Sequence, residues 1–226
     1  MKELFEKYNF DIDNKKMLLF NNYYNDLIEK NKVMNLTAIT ERNQVYIKHF
    51  LDSVLPVGNI KENSTLLDIG TGAGFPGIPL KIMKDSLNIT LLDSLNKRVN
   101  FLNEEIEKLK LINIKAIHSR AEDFANVSRE TFDYVVSRAV ARLNTLLEYC
   151  LPFVKIGGTF IAYKSSNASE EIQECSTALK ILGGKIETIK EFDLEGNPRT
   201  LIYIKKTKET PKKYPRGQNK PKNQPL

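Results

Sequence analysis

Cysteine and histidine are scarce in this 226-residue chain, two of each, and tryptophan is absent. Cys150 and Cys175 form no C-x-x-C pair, so the sequence encodes neither a redox dithiol nor a thiolate metal site, and two buried, reduced thiols are expected. His49 and His118 have no companions at metal-ligand spacing, so no metal is expected, and both read as scaffold residues. Long apolar runs are missing as well. No stretch approaches the roughly 18 residues of a membrane span. The start, Met1-Lys-Glu-Leu-Phe-Glu-Lys7, lacks the apolar core of a secretion signal. These absences point to a cytoplasmic protein with no membrane partner.

Hydrophobic content of 41% and charged content of 27% are ordinary for a globular chain, and the length fits one sizeable domain with appendages. The net charge of +6 is unevenly placed. From Lys205 onward eight Lys or Arg face one acid, Glu209, which leaves residues 1–204 at −1. Five of nine prolines lie at 198 or beyond, and Lys212-Lys-Tyr-Pro-Arg216 interleaves an aromatic with cations. This tail is expected to lie along a polyanion rather than to pack.

The chain is organised around residues 64–80. Leu66, Leu67 and Ile69 read as a buried strand that breaks into glycines at 70, 72, 74 and 77, with a helix from Ile78 onward. Strand, glycine-rich turn and helix form a nucleotide-binding loop. Two ligands compete for it. Gly72-Ala-Gly-Phe-Pro-Gly77 has the dinucleotide spacing G-x-G-x-x-G, and Asp93 stands where a ribose-binding acid belongs. That match begins late, however, after the strand has ended at Gly70. Asp68, two residues before the first glycine, would repel a pyrophosphate but favour the ammonium and sulfonium of S-adenosylmethionine. Asp68, Gly70, Gly72, Gly74 and Asp93 therefore favour the methyl donor.

Around this loop the chain alternates strands (65–69, 88–93, 113–117, 131–137, 157–163) with helices (78–85, 95–110, 143–151, 168–182), which predicts a parallel sheet covered on both faces. Two final strands, about 185–192 and 199–206, are joined by a link too short for a crossover. They must form a hairpin, so the last strand runs antiparallel. Helices over 13–31 and about 41–54 precede the first strand. The expected division is a helical cap (1–60), an α/β domain (61–207) and a basic tail (208–226).

Several stretches carry a closer likeness: Asn31-Lys-x-x-Asn35-Leu-Thr37, His49-Phe-Leu-Asp52, the Asp68–Leu80 loop, Leu92-Asp93-Ser-Leu-x-Lys97-Arg98, Ser119-Arg-Ala-Glu122, Ser137-Arg-Ala-Val-Ala141 and Pro211-Lys-Lys-Tyr-Pro-Arg216. In order and over nearly the whole chain, they resemble the RsmG (GidB) family, bacterial methyltransferases that modify guanine N7 in the decoding-region loop of 16S ribosomal RNA. The resemblance implies a Rossmann-like class I methyltransferase fold with seven strands and a helical cap. It also implies S-adenosylmethionine as donor, 16S rRNA in the small ribosomal subunit or an assembly intermediate as partner, and a monomer. Two places depart from the family pattern: Ser165-Ser166 after Lys164, and Gly217-Gln-Asn-Lys-Pro221 after Arg216.

By the same resemblance Gly70, Phe75, Ala121, Glu122 and Arg138 are assigned to the donor. Arg138, at the end of the fourth strand, also falls where the acceptor belongs, with Arg199 and Arg120 as further candidates for holding a guanine and its phosphates. Guanine N7 is a lone-pair acceptor on the major-groove edge. Attack from it releases no proton, so positioning and electrostatic steering suffice without a general base. The chain has no Asn/Asp-Pro-Pro-aromatic motif for an exocyclic amine, and neither cysteine is placed for attack on a pyrimidine. Three other readings stay open: a small-molecule or protein acceptor, an RNA-binding module without catalysis, and a nicotinamide enzyme.

Overall fold

Successive residues of a strand face opposite sides of a sheet, and this chain puts apolar side chains on both. In the computed structural model, which describes residues 1–138, 141–165 and 168–226, the strands are β1 (Thr65–Ile69), β2 (Asn88–Asp93), β3 (Ile114–His118), β4 (Phe132–Arg138), β5 (Val154–Lys164), β6 (Gly184–Leu194) and β7 (Asn197–Lys206). They form one seven-stranded sheet in the order β3-β2-β1-β4-β5-β7-β6, in which only β7 is antiparallel to its neighbours. Along β5, Phe160 and Ala162 enter one core and Ile161 and Tyr163 the other; β7 alternates likewise through Leu201, Ile202, Tyr203 and Ile204.

The helices are α1 (Lys2–Lys7), α2 (Asn14–Met34), α3 (Arg42–Val45), α4 (Asp52–Val54), α5 (Gly77–Met83), α6 (Asn96–Lys108), α7 (Ala121–Phe124), α8 (Leu143–Cys150), α9 (Ala168–Glu174), α10 (Ser176–Leu182) and α11 (Lys220–Asn223). One core holds α1 to α6 against the sheet, including an aromatic group of Phe5, Phe20, Tyr23, Tyr46, Phe50 and Phe75; the other holds α8, α9 and α10. Asp13 starts α2 by accepting from the Lys16 amide at 2.7 Å, and Asn35 ends it in the left-handed conformation that asparagine tolerates.

The expected alternation and terminal hairpin are present, with three differences. The helix expected over about 41–54 is interrupted by a π-helical turn, Tyr46–Leu51, between α3 and α4. The single helix expected over 168–182 is two, α9 and α10. They break at Cys175, whose thiol donates to the Ile172 carbonyl that an unbroken helix would use. The tail does pack. Thr210, Tyr214 and Pro221 are buried, and Arg129 donates to the carbonyls of Tyr214 (2.6 Å) and Thr210 (3.1 Å). Arg216 grips buried Glu148 through Nε (2.9 Å) and a terminal nitrogen (2.7 Å). Two of the cations counted toward a polyanion-binding tail are thus engaged internally, Arg216 by Glu148 and buried Lys206 by Glu130 at 3.0 Å. A buried bidentate pair outweighs the solvation that would have kept the segment extended. Ala139 and Val140 of the Ser137–Ala141 motif, and Ser166 of the departure after Lys164, lie outside the described residues.

Candidate active site

In an open α/β sheet, ligands bind beyond the carboxyl ends of the strands where the strand order reverses. Here the reversal lies between β1 and β4, and the glycine-rich loop leaves β1 at that point. The loop is pinned from several sides. The amides of Gly70 and Thr71 donate to the Leu92 carbonyl at 2.9 and 3.2 Å, and the Ser137 hydroxyl donates to the Ile69 carbonyl at 2.9 Å. From α2, the buried Tyr23 hydroxyl donates to the Ala73 carbonyl at 2.5 Å.

Asp68 does not lie at the loop surface. It is fully buried beneath the loop, where Oδ2 accepts from the Thr71 hydroxyl (2.6 Å) and the Gly77 amide (2.8 Å), while Oδ1 has no partner among the described residues. Burial pushes its carboxyl up to about 7, against the pull of those two donors. Asp68 therefore shapes the loop from below, which corrects its expected place beside a ligand. Gly74 is likewise a packing residue: with φ +104°, a Cβ there would meet Ile78 Cδ1 at 2.6 Å and the Tyr23 hydroxyl at 2.7 Å. Gly72 (φ +62°) has open space on that side and faces the crevice.

Three adjoining cavities form a trench along this edge. The middle one, about 470 Å³, is bounded by Thr37, His49, Gly70, Gly72, Phe75, Asp93 and Arg138. Past Gly70 and Asp93 it meets a cavity of about 380 Å³ formed by Arg120, Ala121, Glu122, Tyr149 and the tail residues Asn219 and Lys222. Past His49 and Arg138 it meets a third, about 310 Å³, bounded by Lys48, Asp52, Tyr163, Lys164, Glu171 and Arg199. Asp93 is the hinge between the first two. Its Oδ2 accepts from the Gly72 amide and its Oδ1 from the Leu95 amide, both at 2.9 Å. It thus braces the loop and the start of α6 together.

Arg138 stands between the middle and third cavities. One of its terminal nitrogens donates to the carbonyls of Lys48 (3.1 Å) and His49 (3.3 Å) in the π turn and to Asp52 Oδ2 (2.9 Å), and its guanidinium lies 5.0 Å from the Phe75 ring. Asp52 Oδ1 meets Arg199 Nε at 3.2 Å, so one buried carboxylate joins both arginines. The structure brings Arg138 and Arg199 together on Asp52. It places Arg120 elsewhere, in the cavity with Ala121 and Glu122, where it pairs with Glu122 (3.2 Å) and donates to Asn219 Oδ1 (2.5 Å).

His49, read from sequence as scaffold, is part of the site. Its ring stacks on Phe75 (centroids 4.7 Å apart), Nε2 lies 2.8 Å from the Thr37 hydroxyl, and Nδ1 lies 3.4 Å from Arg138. A guanidinium only donates, so Nδ1 is the acceptor and Nε2 carries the hydrogen. Burial first, and Arg138 second, hold the imidazole down to about 3, so it is neutral. In the sequence, the only signal for His49 and Asp52 was their shared motif.

The match to known proteins is extensive. The GidB family model, described as rRNA small subunit methyltransferase G, matches residues 16–202. The chain belongs to this family. A GidB relative from Lachnoclostridium phytofermentans named ribosomal RNA small subunit methyltransferase G is 56% identical over 222 residues, covering 96% of this chain and 92% of its own. Another so named, from Desulforamulus reducens, is 50% identical over 232 aligned positions, covering 100% of this chain and 97% of its own. Among solved structures, a SAM dependent methyltransferase from Aquifex aeolicus aligns with a TM-score of 0.55 at 19% identity, over 78% of this chain and 97% of that one. The fold of this GidB chain is accordingly the Rossmann-like class I methyltransferase fold, with helices added ahead of the first strand.

Proposed function

We propose that the protein transfers the methyl group of S-adenosylmethionine to N7 of a guanine in 16S rRNA, in the decoding-region loop of the small subunit, acting as a cytoplasmic monomer. The observation that carries this reading is the charge state of the third cavity. Among the described residues, Lys48, Arg138, Lys164 and Arg199 line it against two carboxylates, and both are paired. Asp52 is held by the two arginines, and Glu171 by Lys164 at 2.6 Å and the Leu143 amide at 2.5 Å. His49 is neutral, with its hydrogen turned toward Thr37. Both described carboxylates there are paired with cations, Asp52 Oδ1 meeting Arg199 by charge without a hydrogen bond, so among the described residues no unpaired base lines the cavity. Lys48, by contrast, has no ion pair among the described residues. Such a site suits an anionic acceptor whose reacting atom is a bare lone pair.

The donor side fits the same reading. The unpartnered Asp68 Oδ1 belongs to a buried carboxyl whose ionised form a cationic ligand above the loop would favour, Gly72 leaves the loop backbone approachable, and Asp93 keeps lone pairs for ribose hydroxyls. S-adenosylmethionine supplies a methyl group already activated on a sulfonium. The middle cavity is taken as its methionine and ribose end, and the one at Ala121 and Glu122 as its adenine end. Phe75 and His49 present an apolar wall that excludes water between donor and acceptor. Arg138, immobilised by Asp52 and the π-turn carbonyls, holds the base in line. Arg199 and Lys48 neutralise its phosphates.

The test is transfer of labelled methyl to small subunits that lack the modification and to bare 16S rRNA, followed by digestion to nucleosides. The expected product is 7-methylguanosine. Label on any other nucleoside overturns the lone-pair argument, and no transfer despite donor binding moves the acceptor to a small molecule or a protein.

A further inference from the structure

We propose that the C-terminal tail is part of the methyl-donor site, and that Asn219 and Lys222 bind the adenine end of the donor. This rests on the donor assignment above. Both residues line the cavity formed by Arg120, Ala121, Glu122 and Tyr149, opposite the ends of β2 and β3. The tail is held there by a chain of specific contacts. Arg216 is clamped on Glu148, itself completely buried, through its side chain and through its backbone amide at 2.7 Å. The Thr145 hydroxyl, also buried, donates to the Pro221 carbonyl at 3.0 Å. Arg120 donates to Asn219 Oδ1. Glu148 and Thr145 both belong to α8, so the tail is anchored on the helix behind the cavity and its tip is presented to the opening.

The polar atoms left over have the right sense for a purine. Asn219 uses its carbonyl oxygen on Arg120, which leaves its amide hydrogens directed elsewhere, and the Lys222 ammonium has no partner among the described residues. Both are donors, and the ring nitrogens of adenine that face outward (N1, N3 and N7) are acceptors only. Arg120 is occupied by Glu122 and Asn219 and serves to position the latter. Asn219 has φ +56°, which asparagine and glycine tolerate and β-carbon-bearing residues otherwise resist. Lys222 and its neighbours therefore act on the donor rather than on RNA phosphates, contrary to what tail composition alone implies.

The test uses the full chain, Asn219→Gly, Lys222→Ala, and a chain ending at Gln218, which keeps Tyr214 and the Arg216–Glu148 clamp. Dissociation constants for S-adenosylhomocysteine are measured by calorimetry and those for adenosine by competition. Asn219→Gly keeps the backbone conformation and removes only the amide. Each point variant is expected to weaken both ligands by the same factor, and the truncation by roughly tenfold or more, as expected for the loss of two hydrogen bonds. Lys212→Ala, outside the cavity, leaves them unchanged. Because linkage is reciprocal, saturating S-adenosylhomocysteine slows tryptic cleavage after Arg216 and Lys222 in the full chain. Unchanged affinity for both ligands in all three variants overturns the proposal even though the full chain binds donor. Failure of the full chain to bind S-adenosylhomocysteine overturns the donor assignment instead. Loss of S-adenosylhomocysteine affinity with unaltered adenosine affinity also counts against it, since the tail would then act away from the adenine.

Discussion

Replacing Asp68 by Asn should stabilise the protein at pH 8 relative to its effect at pH 5. The Asp68 carboxyl is fully buried, and burial raises it from 3.8 to about 7 in spite of the hydrogen bonds from Thr71 and Gly77. Between those two values the folded chain holds a proton that the unfolded chain has released. The stability this group contributes is therefore complete below about pH 4 and is lost as pH rises through about 7. The slope is about 1.4 kcal/mol per pH unit, and the whole loss is on the order of 4 kcal/mol. Asparagine does not titrate. It keeps an oxygen for Thr71 and Gly77 and places its NH₂ where Oδ1 has no partner, a pH-independent cost of about 1–3 kcal/mol. The difference in unfolding free energy, variant minus wild type, should climb by about 1.4 kcal/mol per unit from about pH 5 to about pH 7 and level off above. Urea denaturation at fixed ionic strength, followed by circular dichroism, measures it. A difference that stays flat across this range refutes the raised, buried carboxyl. Under the proposed function the positive donor favours the carboxylate, so saturating donor should also flatten the wild-type slope and leave the slope of the variant unaffected.

Three further outcomes follow from the same geometry. Under the proposed transfer to N7, which sheds no proton, and with His49 protonating only near 3, kcat with donor and small subunits saturating should be level from about pH 6 to about pH 8.5; a limb near pH 7 that disappears in His49→Gln refutes this. Gly74→Ala forces a methyl into Ile78 and the Tyr23 hydroxyl at positive φ, and should cost about 3 kcal/mol in chemical denaturation together with weaker donor binding; a neutral result shows that the loop does not rest on α2. Asp52→Ala leaves the Arg138 and Arg199 guanidiniums, 12% and 20% exposed, without their shared anion. It should cost about 3 kcal/mol and reduce methyl transfer at least about a hundredfold while donor affinity is retained, as measured by calorimetry; equal loss of donor affinity contradicts its place on the acceptor side.

The sheet was legible because each strand carries its own signal: apolar residues in short runs, glycine at the breaks, and a link between the last two strands too short for anything but a hairpin. The loop was legible from Asp68 and its glycines, but not what each residue does. A sequence shows that Asp68 is near the loop; only its burial shows that it works from beneath, and only the Tyr23 hydroxyl shows that Gly74 is small for packing. His49 was passed over for a related reason. An isolated histidine on an amphipathic helix resembles any core histidine, and the partners that place it at the crevice, Thr37, Phe75 and Arg138, come from three other segments. The packing of the tail was missed because two of its cations, Lys206 and Arg216, were counted without partners. The acids that engage Lys206 and Arg216 are Glu130 and Glu148, far away in the chain, so their pairing is a property of the fold.

The π turn explains how one arginine comes to face two cavities. Tyr46 and Phe50 must both be buried to complete the aromatic core against Phe5, Phe20 and Tyr23. In a regular helix, side chains four apart share a face, and the residues between them turn away on a fixed schedule. The π turn over Tyr46–Leu51 leaves both rings inward and offers the carbonyls of Lys48 and His49 to Arg138, at the cavity that Lys48, His49 and Asp52 border. Arg138 comes from β4, yet most of what fixes its direction comes from helices ahead of the first strand. The helical segment is thus more than a cover on the sheet. It supplies one wall of the cavity at His49 and the anchor for Arg138, which borders two cavities, as the tail supplies a wall at the opposite end. Under the proposed function, a sheet edge alone, with Gly70, Asp93 and Arg138 in place, would hold the donor on one side and leave the base without a seat.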